Sequence, residues 1–252
     1  MNAVVDLNSD LGEGAGHDSE LLVLVSSASI ACGFHAGDAD TMRESIAAAK
    51  KKGVAVGAHP SLFDRQNFGR KEYPATPEEV FDAVIYQLGV FNAISESVGA
   101  RPNHVKPHGA LYNMAARDAD LADAIARAIV QVDGRLFLFA PEKSALAEAG
   151  RKHGVGVIAE VFADRNYLKD GSLVPRTRPD ALLHDPQAAA ARVVRMLGEG
   201  KVQTVDGTDI AVRAETVCLH GDTPDAVKFG HALREKLEQH GVRIRPPAPE
   251  ID

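Results

Sequence analysis

Ten histidines occur in this chain, and four of them stand where chemistry is to be expected. His35, His59, His108 and His220 each close a short apolar run and lie within two residues of a Gly or Pro. Histidine is poised for proton transfer near neutral pH and is the commonest metal ligand. Four in the same kind of position point to a shared site more than to four packing residues. Carboxylates accompany them. Asp6, Asp10 and Glu13 surround the end of the first apolar run, Asp38 follows His35 by three residues, and Asp222 follows His220 by two. Glu160 falls in the apolar run Val155–Val161, where an ionised carboxylate needs a partner or takes a raised pKa. Lys106 directly precedes Pro107 and His108; a buried lysine there could hold an anion or a carbonyl, or work with a lowered pKa. The competing reading of Glu160 and Lys106 is an ion pair with no chemical role. His153, His231 and His240 fall on helical stretches and read as solvated.

Elements must bring these residues together. Short β-branched runs alternate with Ala-rich stretches of helical periodicity, the mark of a parallel sheet. Strands are predicted at Val4–Asn8, Ser29–Cys32, Val54–Ala58, His104–Lys106, Arg135–Ala140, Val155–Val161, Thr216–Leu219 and Val242–Arg245. Helices are predicted from about Asp18, over Thr41–Lys52, about Pro77–Val98, Leu121–Val130, Glu142–His153 and Gln187–Gly198, and from Thr223-Pro224-Asp225. Thr76-Pro77-Glu78-Glu79 opens its helix with a cap, an N1 proline and a Glu three residues on. Strands with little alternation imply burial on both faces. The prediction is one α/β domain over residues 1–252, a single distorted (β/α) barrel of seven or eight strands. An open doubly wound sheet is the alternative. In a barrel the C-terminal strand ends converge on one mouth, where catalytic residues sit. Two long connections, residues 60–71 and 164–178, mix aromatics with Arg. They suit the covering of an anionic substrate, or else are solvated loops.

Composition narrows the class. The 252 residues carry 28 Lys plus Arg against 35 Asp plus Glu, a formal charge of −7. That balance argues against nucleic acid or an anionic membrane as partner. Two cysteines, Cys32 and Cys218, cannot make a disulfide scaffold; each reads as a small core residue in a strand. No apolar stretch approaches the ~18–20 residues of a membrane span. Met1–Asp6 has no basic n-region and is not read as a signal peptide. A soluble cytoplasmic enzyme is the expectation. It has no P-loop, no Rossmann glycine spacing and no Gly-x-Ser-x-Gly elbow.

Seven longer blocks are more specific. Asp6-Leu7-Asn8-Ser9-Asp10-Leu11-Gly12-Glu13, Ala31-Cys32-Gly33-Phe34-His35-Ala36-Gly37-Asp38, and Gly57-Ala58-His59-Pro60-Ser61 resemble the hallmark segments of the LamB/YcsF family. So do Phe68-Gly69-Arg70, Val105-Lys106-Pro107-His108-Gly109-Ala110-Leu111-Tyr112-Asn113, Glu160-Val161-Phe162-Ala163-Asp164-Arg165-Asn166-Tyr167, and Cys218-Leu219-His220-Gly221-Asp222. The resemblance implies a barrel similar to the glycoside hydrolase/deacetylase superfamily. It also implies a 5-oxoprolinase activity that opens the lactam of 5-oxo-L-proline to L-glutamate while ATP is hydrolysed to ADP and phosphate. The chain would be one of three subunits, working with B and C, and ATP would be a co-substrate.

On that reading the catalytic set is Asp6, Asp10, His35, His59, Lys106, His108, Glu160, His220 and Asp222, with Asn8, Arg70, Asp164 and Arg165 binding substrate or phosphate. Deacetylase relatives hold a divalent metal through an Asp and two His, and the positions most like these are Asp10, His59 and His108. Two other functions compete. One is a stand-alone metal-dependent amidase or deacetylase. The other is a non-catalytic subunit that presents substrate, which the density of titratable groups disfavours.

Overall fold

The computed structural model describes residues 3–222 and 225–249. Apolar runs and amphipathic stretches alternate along it as β1 (Val4–Leu11), a one-turn α1 (Asp18–Leu21), β2 (Ser27–Ala31), α2 (Ala39–Lys51), β3 (Ala55–His59), α3 (Pro77–Ser97), β4 (Pro102–Val105), α4 (Gly109–Arg117), α5 (Ala119–Asp133), β5 (Phe137–Ala140), α6 (Ala145–Lys152), β6 (Val157–Phe162), α7 (Pro186–Glu199), β7 (Lys201–Gln203), β8 (Asp209–Ala211), β9 (Thr216–Leu219), α8 (Ala226–Gln239) and β10 (Arg243–Ile244). Strands β1 to β6 pair in parallel in chain order, then β6 pairs with β9 and β9 with β1. Seven parallel strands thus close a barrel, as the sequence predicts. β10 adds in parallel only to Val4 and Val5.

Helix ends follow local chemistry. The Thr76 hydroxyl accepts from the Glu79 amide while the Glu79 side chain accepts from the Thr76 amide, so the capping box is formed. Asp38 accepts from the Thr41 amide as the cap of α2, which makes it a structural residue rather than a companion of His35. The predicted start of the last helix at Thr223-Pro224 lies outside the described residues; from Ala226 the helix is present. Two features go beyond the sequence expectation. α4 follows His108 at once, and β7 and β8 form a small antiparallel hairpin apart from the barrel. Cys32 lies one residue past β2 rather than inside it.

The apolar core sits between barrel and helices. Leu7 and Leu11 of β1 are buried with Ile46 of α2, Val84, Leu88 and Phe91 of α3, and Ile125 and Ile129 of α5. Inside the barrel, polar side chains gather in tiers. β1 alternates after all: Asp6, Asn8 and Asp10 form a polar file while Val5, Leu7 and Leu11 join the apolar cluster. At the lower end, Asp6 accepts hydroxyls from Ser26 (2.6 Å), Ser27 (2.7 Å) and Thr216 (2.6 Å). Burial outweighs those bonds and pushes its carboxyl up to about 6. One tier above, His104 lies 3.1 Å from the Ser29 hydroxyl and stacks on Phe139 at 4.1 Å between ring centroids. Nothing in residue type or spacing singles out His104. The β3–β4 register slips beside it, between Val56 and Gly57, and Gly57 faces the imidazole so closely that a Cβ would collide with the ring.

Gly57→Ala should therefore destabilise the fold by about 1–3 kcal/mol or more through overpacking. For a chain of this size that lowers the midpoint by roughly 2–4 °C per kcal/mol. Unchanged urea and thermal midpoints would show that the His104 ring can move aside. Burial also depresses His104 from 6.5 to about 3. The unfolded chain binds this proton more readily, so the group's contribution is complete above the unfolded value. It is lost as pH falls from about 6.5 towards about 3, at about 1.4 kcal/mol per unit. Urea titrations of wild type and His104→Gln across that window should give a flatter profile for the variant.

Candidate active site

Lys106 extends from the residue after β4 into the barrel mouth and is buried. Its Nζ lies 2.7 Å from Asp10 Oδ1, 3.2 Å from Glu160 Oε1, 2.9 Å from Asn8 Oδ1 and 3.0 Å from Cys218 Sγ. Burial disfavours the ammonium, but Asp10, then Cys218 and Glu160, lift it well above the ordinary lysine range. Burial likewise opposes the Asp10 carboxylate, while His59 and Lys106 outweigh it and hold that carboxyl well below its usual range. Lys106 is therefore a fixed cation and not a lowered-pKa base. Around it, Tyr112 donates to Glu160 Oε2 (2.8 Å), and Asn8 Nδ2 donates to Glu160 Oε1 (3.1 Å) and to the Thr216 hydroxyl (2.8 Å). Thr216 passes the chain of hydrogen bonds down to Asp6.

Beside the lysine, three histidines from consecutive strand ends converge on Glu13. His59 ends β3, His35 follows β2 and His108 caps α4. His35 and His108 stack with centroids 3.8 Å apart, and His59 stands edge-on to both. Glu13 Oε1 lies 3.0 Å from His35 Nε2, 3.4 Å from His108 Nδ1 and 3.7 Å from His59 Nε2. Burial, then the charges of Asp10 and Asp222, push Glu13 well above the carboxylate range. Burial, then His59, brings His35 down to about 2; burial, with His35 and His59, lowers His108 far below its normal value. The cluster is held from outside. Gln87 on α3 accepts from the Ser61 amide and donates to the Ser61 carbonyl, and Ser61 in turn touches His35 at 3.0 Å. Phe68, whose φ of +55° is unusual for a side chain of its size, places its carbonyl 2.9 Å from His108 Nε2.

On the other side of the mouth, Asp164 presents both oxygens to His220 Nδ1 at 2.9 Å. Burial would raise Asp164, but His220 overrides it and keeps the carboxyl below its usual range. Oriented this way, His220 has Nε2 left for proton transfer. Arg165 is buried, donates one guanidinium nitrogen to the Val174 carbonyl (2.6 Å), and its Nε has no hydrogen-bond partner among the described residues. Burial and neighbouring Arg176 lower it to about 10, so it is still a cation at neutral pH. Arg70 pairs with Asp222 across the mouth and covers the Phe68 ring at 4.8 Å.

Most of the expected site residues meet here, on the two sides of Lys106. Asp6 stands apart, two residues below Asn8 in the polar file, and reaches the mouth only through Thr216. The expected trio Asp10, His59 and His108 is adjacent: His59 Nε2 is 3.5 Å from Asp10 Oδ2 and 2.8 Å from His108 Nδ1. Two sets could offer metal ligands with all atoms within 4.8 Å: Glu13, His35, His59 and His108, and Asp10, Cys218 and His220. By sequence Glu13 is no more than a flank of strand one, Ser61 could hydrogen-bond substrate, and Tyr112, Gln87 and Phe68 have no assigned role. A signal for Tyr112 does exist: His108 and Tyr112 are four apart, one helical turn, on the helix that opens at Pro107-His108-Gly109.

A closed parallel barrel with its polar groups gathered at the strand ends has the fold of the family 4 carbohydrate esterases. The Streptomyces lividans member aligns over 99% of this chain and 95% of its own at a TM-score of 0.52 and 11% identity, a likeness of fold alone. The chain belongs to the LamB/YcsF family, whose profile matches residues 5–251. It is 50% identical over 250 residues to the A subunit of 5-oxoprolinase from Shouchella clausii (strain KSM-K16), covering 97% of this chain and 98% of that one. The crystal structure of a lactam utilization protein from Thermus thermophilus superposes at a TM-score of 0.90 with 47% identity, covering 96% of this chain and 99% of the other.

Lys106→Met leaves Asp10 and Glu160 buried without their cation, which costs about 3–5 kcal/mol. The loss should shrink as pH is lowered, because a buried carboxylate left without its cation can shed its charge by taking up a proton. Urea unfolding at neutral and mildly acidic pH checks this; an equal loss at both would mean that the pair is not what the lysine compensates.

Proposed function

We propose that this chain is the A subunit of an ATP-dependent 5-oxoprolinase. It would act as one catalytic (β/α)-barrel domain, in the cytoplasm, with subunits B and C. The reaction would convert 5-oxo-L-proline, ATP and two waters to L-glutamate, ADP and phosphate. The observation that carries the reading is one mouth holding a fixed ammonium, an oriented histidine and a buried guanidinium together. Identity of 50% over nearly the full length to a protein of that name supports it, as does the lactam utilization neighbour.

A five-membered lactam is a stable amide, so its carbonyl must be activated. Transfer of the ATP γ-phosphoryl group to the carbonyl oxygen releases ADP and makes the carbon electrophilic. Water then adds to that carbon, the C–N bond breaks with its electron pair going to nitrogen, and nitrogen gains a proton. The resulting γ-glutamyl phosphate is hydrolysed by the second water. Such steps need a cation at the developing oxyanion, a base for water and an acid for nitrogen. Lys106 would serve the first need. His220, oriented by Asp164, is the base and, once it carries that proton, the acid for nitrogen. Arg165, with its free Nε, suits the substrate carboxylate or the phosphate, and the Arg70–Asp222 pair would part to admit substrate.

Reconstitution tests the reading. The full chain is mixed with B and C, and loss of 5-oxoproline and formation of ADP are followed separately. Ring opening is expected only with all three subunits and ATP, and His220→Asn should slow it by about 10²–10⁴-fold. Undiminished ring opening without this chain would overturn the assignment. Amide hydrolysis by the chain alone, without ATP, would favour a stand-alone amidase.

A further inference from the structure

Each of the three clustered histidines has one ring nitrogen already committed. His59 Nδ1 lies 2.6 Å from the Lys106 carbonyl oxygen, and His108 Nε2 lies 2.9 Å from the Phe68 carbonyl oxygen. A carbonyl can only accept, so both nitrogens carry the proton. His35 Nδ1 is 3.0 Å from the Ser61 hydroxyl, which donates its own proton to the Leu62 carbonyl at 2.9 Å; His35 is then the donor there as well. A neutral imidazole with one N–H has one bare nitrogen. The three bare nitrogens, His35 Nε2, His59 Nε2 and His108 Nδ1, all turn inward on Glu13 Oε1, at 3.0, 3.7 and 3.4 Å. Between His59 and His108 two lone pairs face each other at 2.8 Å. A proton shared between two of these atoms relieves that pair alone, whereas one cation at their centre serves all four.

We propose that Glu13, His35, His59 and His108 bind one divalent transition-metal ion, zinc or a close analogue. Imidazole-rich sets select such ions. A tetrahedral shell with metal–nitrogen bonds of about 2.0–2.1 Å has ligand–ligand edges of about 3.3 Å, and the separations above scatter around that value. The outward N–H of each ring is fixed by a carbonyl or a hydroxyl, which is how ligating histidines are oriented. Asp10 stands beside this set and not within it: its Oδ1 is on Lys106, and its Oδ2 is 3.5 Å from His59 Nε2. The carboxylate of the centre is therefore Glu13, in place of the Asp10 that the deacetylase likeness implies. A bound ion of this kind polarises a carbonyl or lowers the pKa of water. The proposal goes beyond the 5-oxoprolinase reading and does not need it, since binding is measured without turnover.

The full chain, stripped by a chelator, is titrated with Co²⁺ followed by its visible absorption, then with Zn²⁺ in competition and by calorimetry. One Co²⁺ per chain with a tetrahedral spectrum, displaced by Zn²⁺, is expected, together with a higher melting midpoint when loaded. His35→Ala and Glu13→Gln should weaken binding at least about tenfold, as should Ser61→Ala, which acts only through the His35 hydrogen bond and leaves the ligands in place. Asp10→Asn should change affinity far less. Circular dichroism of each variant separates lost folding from lost binding; should His35→Ala unfold, Ser61→Ala and Glu13→Gln decide. Absence of stoichiometric binding at millimolar Co²⁺ or Zn²⁺, or binding that Glu13→Gln and Ser61→Ala leave intact, would overturn the proposal. So would a loss confined to Asp10→Asn.

Discussion

The interior is organised by one unavoidable cost: an ammonium, that of Lys106, withdrawn from water inside a barrel. A buried charge survives only where opposite charge and hydrogen bonds replace its solvent. Asp10 and Glu160 supply the charge, and Asn8 the remaining acceptor. Two carboxylates against one ammonium leave an excess of negative charge, and the neighbouring groups respond to it. Tyr112 and Asn8 donate to Glu160, Asn8 leans on Thr216, and Thr216 on Asp6. Glu13, next in line, is forced towards its neutral form. The pKa values of Asp10 and Glu13, three residues apart, are thereby driven in opposite directions. That separation gives two carboxyl groups two different chemical capacities.

The architecture makes such an interior tolerable by placing the apolar core elsewhere. Barrel interiors are commonly filled by branched apolar side chains. Here those side chains lie between the strands and the surrounding helices, and the barrel lumen is given to polar tiers. The tiers stack one above another: hydroxyls around Asp6, Ser29 and Phe139 around His104, acceptors around Lys106, with Thr216 joining Asn8 to Asp6. The tiers rest on strands, not loops, and the groups at the mouth inherit that rigidity. At the mouth the groups stand within a few residues of the strand ends, and the covering segments bring Arg70 to Asp222 and Arg165 to Val174.

Much of this is legible from residue types and spacing. Strand-end position picks out His35, His59, His108 and His220, because a barrel brings all such ends together whatever the details of pairing. Lys106 and Glu160 are legible as charges in apolar runs. What is not legible depends on register or on backbone direction. His104 looks like any strand residue until the slip opposite Gly57 puts its ring in the lumen. Glu13 reads as a flank of the first strand because nothing in Gly12-Glu13-Gly14 says which way the loop turns. Tyr112 is hidden because α4 begins directly at a Lys-Pro-His-Gly segment, where Pro and Gly suggest a loop. The β7–β8 hairpin has three residues per strand, too few for the alternation around buried Val202 to announce it.

Phe68 shows how closely chemistry and strain are joined in this mouth. A residue of its size in left-handed backbone conformation carries a cost of order 1–3 kcal/mol, and a protein engineer seeking robustness would replace it with glycine. The same backbone conformation aims the carbonyl that determines which nitrogen of His108 bears hydrogen. Relaxing the loop would free that carbonyl to wander and let the imidazole flip between tautomers. The easiest gain in thermal tolerance would then blur the identity of a ring nitrogen, and the strained phenylalanine is better regarded as a setting than as a flaw.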